Sequence, residues 1–468
     1  MKRFWLILLS LGLVMAFSAS AFAVDVQFSG SFYVGGLYLD QVNLVKSGTT
    51  GMQNQSTAFF YQRLRVETDF IVSPGLKLVT RFDALERIWG GARAGAATGL
   101  GSGGAAGSSG YPSTSWPSAG TAAEDENIAF DWAYIDYTSP YGQLMVGYMQ
   151  DGKTGTIFGD SYVPRGRIKY YLTVGPVTFN PEITVVENQD YSAVNPTATW
   201  TDANMNHYGL DTFYQGQNLL AGGKVTYYRY AQNRPNAAGS DYTEYYYLLT
   251  PYVITKIGPV NLQAEVNYAW GKYKMFDGDT LGKDINLSDL TAFLDATATF
   301  GPIYFGGTFA YVQGTDPNYA NDGKPYSGAL NGGIEWNPCL IMFNYYDRGY
   351  WVGPISGYTP TSNVGPMTNA WFFQANAGVT PTPALNIKAS VAYAKADQPG
   401  STTPGWAGDL SYGWELDVTG TYKITNNLSY MLSVGYWWVG DYYRGPNTQS
   451  AAPLRDDYMV INKLTLTF

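Results

Sequence analysis

The chain has 468 residues, with 28 Lys and Arg against 37 Asp and Glu and a formal net charge of −9. Only 14% of its residues are charged and 16% are aromatic, whereas soluble domains average about 25% charged residues. This balance excludes a disordered chain, the single cysteine excludes a disulfide scaffold, and the lack of a basic cluster argues against nucleic acid.

The first 23 residues have the parts of a secretory signal peptide. Two basic residues, Lys2 and Arg3, precede an apolar stretch over residues 4–17, and an Ala-Phe-Ala cleavage site ends at Ala23. The apolar stretch is shorter than the roughly 20 residues of a membrane-spanning helix. We therefore expect residues 1–23 to be removed and residues 24–468 to form one exported domain. Export without paired cysteines fits the envelope of a Gram-negative bacterium.

From residue 24 onward apolar and polar residues alternate. Val26, Phe28 and Phe32 share one face of the first segment, and Gln27 and Ser29 share the other. This period of two is typical of a β-strand with one apolar and one polar face. The pattern recurs along the chain, for example over residues 58–70, 76–84, 260–270 and 411–422.

The connections between these segments alternate in length. Short turns rich in Pro, Gly and Asn lie near residues 74, 140, 176, 217, 259, 302, 338, 382 and 426. Longer polar stretches separate them. A soluble sandwich has no reason to shorten every second connection, whereas a transmembrane barrel has short periplasmic turns and long extracellular loops. Because unpaired backbone groups are not tolerated in hydrocarbon, strands that span a membrane must close into a barrel.

The segmentation gives ten hairpins, so we predict an all-β protein that forms a single closed antiparallel transmembrane β-barrel of 20 strands. Two hairpins, at about 206–230 and 329–349, have the weakest alternation. If one is misread the barrel has 18 strands, and if both are misread it has 16. Aromatic clusters near strand ends, such as Tyr245–Tyr247 and Tyr436–Trp438, fit the interfacial girdles of such a barrel.

The last segment alternates through Tyr458, Val460, Leu464 and Leu466 to the terminal Phe468. With the hairpin pattern over residues 133–148, this end resembles that of the Gram-negative outer-membrane porins. The resemblance implies that the barrel-insertion machinery reads Phe468 as its signal. It also implies a homotrimer in the outer membrane, in contact with outer-membrane lipid.

Charges on the inward face are the candidate site residues. Arg63, Arg65 and Arg81 lie on the second and third predicted strands, and Arg165, Arg167 and Lys169 point one way at i, i+2 and i+4. The resemblance implies an acidic constriction loop opposite such a basic ladder, here at about residues 151–164 with Asp151 and Asp160. The alternative is that these charged residues are ordinary solvated lumen residues that pair with their neighbours. The Gly- and Ser-rich loop at 90–123 is the other segment that could narrow the pore.

A barrel this wide leaves an aqueous channel. We therefore predict a passive diffusion channel, a porin, for small polar solutes or ions, with a charged constriction that sets ion preference. The alternatives are a substrate-specific channel for a sugar or organic acid and, less favoured, a structural or adhesive barrel. No catalytic activity, cofactor or metal is expected, because the chain has one histidine, His207, and one cysteine, Cys339, which we place in a periplasmic turn.

Overall fold

A computed structural model describes residues 24–42, 44, 56–89, 128–188, 203–231, 241–277, 283–353, 365–400, 409–444 and 454–468. The predicted signal peptide and the predicted flexible loop at 90–123 lie outside these residues.

The described residues form 18 strands and three short helical segments. The strands are β1 Asp25–Leu39, β2 Thr57–Ser73, β3 Leu76–Ile88, β4 Ile128–Ser139, β5 Gly142–Asp151, β6 Val163–Val174, β7 Val177–Glu187, β8 Met205–Gln215, β9 Leu219–Tyr230, β10 Tyr242–Ile257, β11 Val260–Phe276, β12 Ile285–Phe300, β13 Ile303–Val312, β14 Ala370–Thr382, β15 Leu385–Ala396, β16 Ser411–Lys423, β17 Leu428–Val439 and β18 Asp457–Thr467. The helical segments are α1 Tyr319–Asp322, a π-helical turn Tyr345–Gly349 and a 3₁₀ turn Asp441–Arg444. Within the described ranges, no helix is long and apolar enough to cross a membrane.

Each strand pairs antiparallel with its neighbours in the sequence, and β1 pairs with β18 to close the sheet. The closing register runs from Ser31 opposite Thr467 to Leu39 opposite Met459. Closure leaves no free edge, which is the requirement for strands in hydrocarbon. The predicted single closed antiparallel barrel is confirmed.

The count of 20 strands is wrong, and 18, the count for one misread hairpin, is the observed number. Residues 329–349 form no strand pair, because β13 pairs directly with β14 and places Val312 opposite Ala370. Ile341, Met342 and Phe343 are consecutive buried apolar residues rather than alternating ones. The other weak hairpin, at 206–230, is real and forms β8 and β9.

The barrel is apolar outside and polar inside. On β6, Ile168 and Leu172 are 47% and 40% exposed, whereas Arg167, which precedes Ile168, is 5% exposed. On β11, Val266 and Trp270 face outward, and the carboxylate Glu265 is buried. A soluble protein would bury the apolar set, so this surface is built to meet lipid.

The aromatic clusters split between the two faces because side chains alternate along a strand. Tyr247 and Trp270 stack on the outer surface with ring centroids 5.7 Å apart, as expected of a girdle. Tyr246 and Trp437 point inward and are buried. In each predicted cluster, the middle residue therefore points into the barrel and only its two neighbours are on the outward face.

The connections alternate as the sequence predicts. Eight short turns lie at one end of the barrel, where β1 begins and β18 ends. Three of these turns contain Gly-Pro pairs whose glycines, Gly175, Gly258 and Gly301, have φ of +58° to +59°. Because that left-handed conformation is unfavourable for other residues, these glycines fix the tight turns. The nine longer connections lie at the opposite end.

Candidate functional site: the lumen and its two infolded segments

A short infolded loop, residues 152–162 between β5 and β6, enters the lumen. Thr156 donates from its backbone N and its Oγ1 to Glu265 Oε2 on β11, at 2.8 and 2.9 Å. Gly155 has φ of +74°, and a Cβ there would lie 2.6 Å from the Tyr252 ring, so only glycine fits. Phe158 is fully buried and stacks on Phe293 of β12 with centroids 5.0 Å apart. The loop is therefore fixed against the wall formed by β10–β12.

A long infolded segment, residues 329–353, enters the lumen from the connection between β13 and β14. Glu415 of β16 accepts hydrogen bonds from the backbone N of Ile341 and Met342 at 2.6 and 2.7 Å. Asp289 of β12 accepts one from Leu330 N at 2.8 Å. The apolar side chains of this segment form a buried cluster with the inner faces of nearby strands. Its members within the segment are Trp336, Cys339, Ile341, Met342, Phe343, Trp351 and Val352.

The two segments join inside the barrel. Gly159 N donates to Gly332 O at 2.9 Å, and Glu335 N donates to Asp160 O at 3.1 Å. Phe158 and Trp336 pack edge to face with centroids 5.2 Å apart. Together they form one partition that narrows the lumen, and both are anchored to the wall by buried carboxylates.

Opposite the long infolded segment, β2, β3 and β4 carry a compact group of charges. Arg65 forms a two-pronged pair with Asp83, with both N–O distances at 2.7 Å. Arg81 Nε lies 2.9 Å from Asp131 Oδ2, and Arg63 lies 3.5 Å from Glu86. The side chains of Arg63 and Arg65 are 18% and 25% exposed. We call Arg63, Arg65 and Arg81 the arginine wall.

The long infolded segment presents acids and tyrosines toward the arginine wall. Burial raises the pKa of Glu335, whereas Arg65 and Arg81 act to lower it across the lumen. Asp347 accepts from Tyr61 Oη at 3.1 Å and from Lys463 Nζ at 2.8 Å. Glu335 thus lies close enough to Arg65 and Arg81 to be affected by their charge, whereas Asp347 is paired with Lys463 of β18.

The predicted ladder on β6 points inward, but its members have separate surroundings. Arg167 pairs with Glu182 at 2.8 Å and with Asp151 at 3.3 Å, and its side chain is only 3% exposed. Asp151 ends β5, next to β6, so it does not face the ladder from across the lumen as expected. The Lys169 Nζ lies 5.0 Å from the centroid of Tyr171. A constriction role for Arg165, Arg167, Lys169 and Asp151 stays a prediction, and Arg167 has the surroundings of a structural ion pair.

A half-enclosed cavity of about 310 Å³ lies between the short infolded loop and the wall formed by β6–β12. Arg165, Lys224 and Tyr228 line it. His207 also lines it, with Nε2 3.1 Å from Asp151 Oδ2. The histidine thus faces the lumen from β8 and is 7% exposed.

Asp160 lies in the short infolded loop, where Oδ1 accepts from Thr154 N at 2.8 Å. Burial raises its pKa to about 7. Because this value lies above the unfolded value of about 3.9, the group stabilises the fold most below pH 4. That stabilisation is lost as pH rises through about 7, with a slope of up to about 1.4 kcal/mol per pH unit.

We expect Asp160→Asn to make the unfolding free energy of the barrel less dependent on pH between pH 4 and 7. Urea unfolding of the detergent-solubilised protein at several pH values measures this slope. Asp25→Asn, at an exposed carboxyl at the start of β1, is the matched control and should leave the slope as in the parent. An unchanged slope in Asp160→Asn would contradict the assignment.

The terminal Phe468 is 49% exposed and lies at the short-turn end. Its backbone N and O exchange hydrogen bonds with Gly30 at 3.1 and 2.9 Å. It therefore belongs to the seam between β18 and β1. Its reading by insertion machinery stays a prediction.

Sequence reasoning missed several lumen residues. Asp131, Glu335 and Asp347 carry no simple sequence signal, because Asp131 lies where the register between β3 and β4 shifts and the other two lie in the segment for which the sequence predicts strands. Glu265 and Glu415 were placed on the polar face, but their bonds to residues 109 and 74 positions away were not foreseen. The one available signal was the run Ile341-Met342-Phe343, whose lack of alternation argues against a strand.

The sequence matches no family model and no curated protein. Several solved structures are similar to this chain. One is Pseudomonas aeruginosa OccK9 (OpdG), with 14% identity, a TM-score of 0.49 and coverage of 94% of this chain and 99% of that one. OccK2 (OpdF) of the same organism, solved in complex with glucuronate, has 10% identity, a TM-score of 0.48 and coverage of 94% and 98%. OpdK with vanillate has 12% identity, a TM-score of 0.47 and coverage of 94% and 99%. At this level the likeness identifies no substrate for this chain.

The closed 18-stranded sheet, its apolar outer surface and its charged interior define a transmembrane β-barrel of the outer-membrane type. The porin-type architecture that the sequence resembles is confirmed. With 18 strands, the barrel is in the size range that leaves an aqueous channel rather than a packed interior.

Proposed function

We propose that the protein is a passive channel that lets small hydrophilic solutes or ions cross the outer membrane. The observation that carries this proposal is the arginine wall, in which the side chains of Arg63 and Arg65 stay partly exposed inside a closed barrel of 18 strands. Side chains do not fill a barrel of this width. The two infolded segments narrow the lumen, and the charges that face each other beside them select among solutes.

The chemistry at this place is that of a filter. The arginines are held by Asp83, Glu86 and Asp131 on neighbouring strands, so their positions are fixed before a solute arrives. Glu335 supplies a carboxyl group from the long infolded segment, and Asp347 of the same segment is paired with Lys463 of β18. Passage then needs no covalent step, and we propose no catalysis.

We expect liposomes that contain the purified barrel to swell in isotonic solutions of small polyols and monosaccharides, with rates that fall steeply as solute size increases. The partition narrows the lumen, so large oligosaccharides should enter slowly or not at all. Protein-free liposomes are the control. Swelling rates equal to those of the control for every solute would contradict the proposal.

The cavity of about 310 Å³ beside the short infolded loop favours a second candidate, a channel with preference for one solute class. Its wall combines the cations Arg165 and Lys224 with Tyr228, which gives both charged and aromatic contacts to a bound solute. A solute that binds there should reduce ion current in a concentration-dependent, saturable way. If the ion current instead falls in proportion to solute concentration and does not saturate, the general channel is favoured.

Export, insertion and assembly belong to the same proposal. We infer cleavage after Ala23, recognition of Phe468 by the insertion machinery, and a homotrimer, the last from resemblance to porins alone. Loss of Phe468 should lower the amount of barrel in the outer membrane, as measured by heat-modifiable migration in gels.

A further inference from the structure

Three potential metal ligands meet where the long infolded segment touches β16. Cys339 lies in the segment, Glu415 and Asp417 lie on the inner face of β16, and one ligand atom of each lies within 4.8 Å of the other two. All three residues are buried, at 3%, 0% and 5% exposed. The sequence predicts that Cys339 lies in a periplasmic turn, and this prediction is wrong. The structure places the cysteine inside the lumen, in the long infolded segment.

Two backbone hydrogen bonds favour the charged form of Glu415. Ile341 N and Met342 N donate to the two oxygens of Glu415 at 2.6 and 2.7 Å. Hydrogen bonds from backbone donors stabilise a carboxylate relative to the acid. Among the ion pairs of the described residues, none includes Glu415 or Asp417. These two buried carboxyl groups lie close together and have no cation at ion-pair distance, so both can be charged only when a cation joins them.

One oxygen is also left over. Asp417 Oδ1 is buried and accepts no hydrogen bond. This oxygen lies near Leu340, the residue that follows the cysteine. A Cβ built at Gly435 would be 2.6 Å from the oxygen and 3.1 Å from the Cβ of Leu340. Since buried polar atoms nearly always have a partner, this oxygen is a free acceptor in the cluster that includes the thiol.

We propose that Cys339, Glu415 and Asp417 bind a zinc ion. Zinc takes a thiolate together with carboxylate oxygens in four-coordinate sites, whereas calcium and magnesium take oxygen ligands. One oxygen from each carboxylate and the Cys339 Sγ give three ligands, and a water completes the fourth position. Binding releases the thiol proton to solvent.

The ion supplies the positive charge that the carboxylates lack, and it links the segment to the wall. Glu415 and Asp417 lie 76 and 78 positions after Cys339 in the sequence, so a metal that joins them closes a long loop. Gln374 of β14 supports the same place, since its Nε2 donates to Pro338 O at 2.8 Å and lies 4.0 Å from Cys339 Sγ. A metal here would hold residues 338–342 against β14 and β16.

The test uses the full barrel, extracted from membranes in detergent, stripped with a chelator and titrated with Co²⁺ as a spectroscopic substitute. We expect one cobalt per chain and a near-ultraviolet band from sulfur-to-cobalt charge transfer. Zinc should abolish that band when added afterwards. Cys339→Ser should lose the band, and Asp417→Asn should weaken binding at least tenfold.

Glu265→Gln is the matched control, because Glu265 is a buried carboxylate that anchors the other infolded segment and lies outside the cluster. It should keep the stoichiometry and the band even if the barrel is less stable. Failure of the parent to show the band, or equal cobalt binding by the parent and Cys339→Ser, overturns the proposal. Neither result bears on passive transport, which the swelling assay tests separately.

Discussion

Removal of the long infolded segment is expected to raise single-channel conductance several-fold. Val312 and Ala370 are directly paired at the end of β13 and β14, so a four-residue Gly-Ser linker can replace residues 314–368 and keep the hairpin. The partition then loses one half, and the open cross-section of the lumen increases. Recordings in planar bilayers measure the change.

A point substitution tests the same idea in a chain of full length. Gly333 has φ of +77°, and a Cβ there would lie 2.2 Å from the backbone O of Asp160. Gly333→Ala should therefore push the two infolded segments apart and give a larger, noisier current. Gly323→Ala is the matched control, because Gly323 has φ of +66° but nothing within 4 Å of the added Cβ. Parent conductance in both the deletion and Gly333→Ala would show that the partition does not limit flow.

Arg65→Glu is expected to shift ion selectivity toward cations several-fold at low salt. Arg65 neutralises Asp83 and approaches Asp131 within 3.5 Å, so the substitution changes the local charge by two. Asp131 then keeps Arg81 at 2.9 Å, and Asp83 keeps only Arg63 at 3.9 Å. Such a field acts over about 10 Å at 0.1 M salt but only about 3 Å at 1 M. The reversal potential across a salt gradient should therefore shift strongly in dilute salt and weakly in concentrated salt.

Lys324→Glu makes the same change of charge outside the lumen and serves as the control. Its ammonium pairs with Asp316 and is 52% exposed in the connection after β13. It should leave the reversal potential nearly as in the parent. Equal shifts in the two variants would mean that the current does not pass the arginine wall.

The barrel itself could be predicted because its determinants are local. Alternation along β6, with Ile168 outward and Arg167 inward, follows from the strand period alone. Gly-Pro pairs such as Gly175-Pro176 mark tight turns through backbone geometry. The sheet must close because the unpaired backbone groups of an open sheet edge are not tolerated in hydrocarbon. None of these steps needs a distant contact.

The interior could not be predicted in the same way, because it depends on contacts between distant residues. The bonds from Thr156 to Glu265 and from Ile341 to Glu415 span 109 and 74 residues. Spacing cannot show that Arg167 meets Glu182, or that Asp151 lies beside it rather than across the lumen. The wrong prediction of a hairpin at residues 329–349 has the same cause. The apolar residues of this segment pack inside the barrel and do not face lipid.

The most direct test of the central claim is the current carried by the unmodified barrel in a planar bilayer. We expect discrete, ohmic steps whose size is proportional to salt concentration, below the conductance of the variant that lacks residues 314–368. Membranes that stay silent with correctly folded, heat-modifiable protein, in both the parent and the deletion variant, would contradict an open, narrowed lumen.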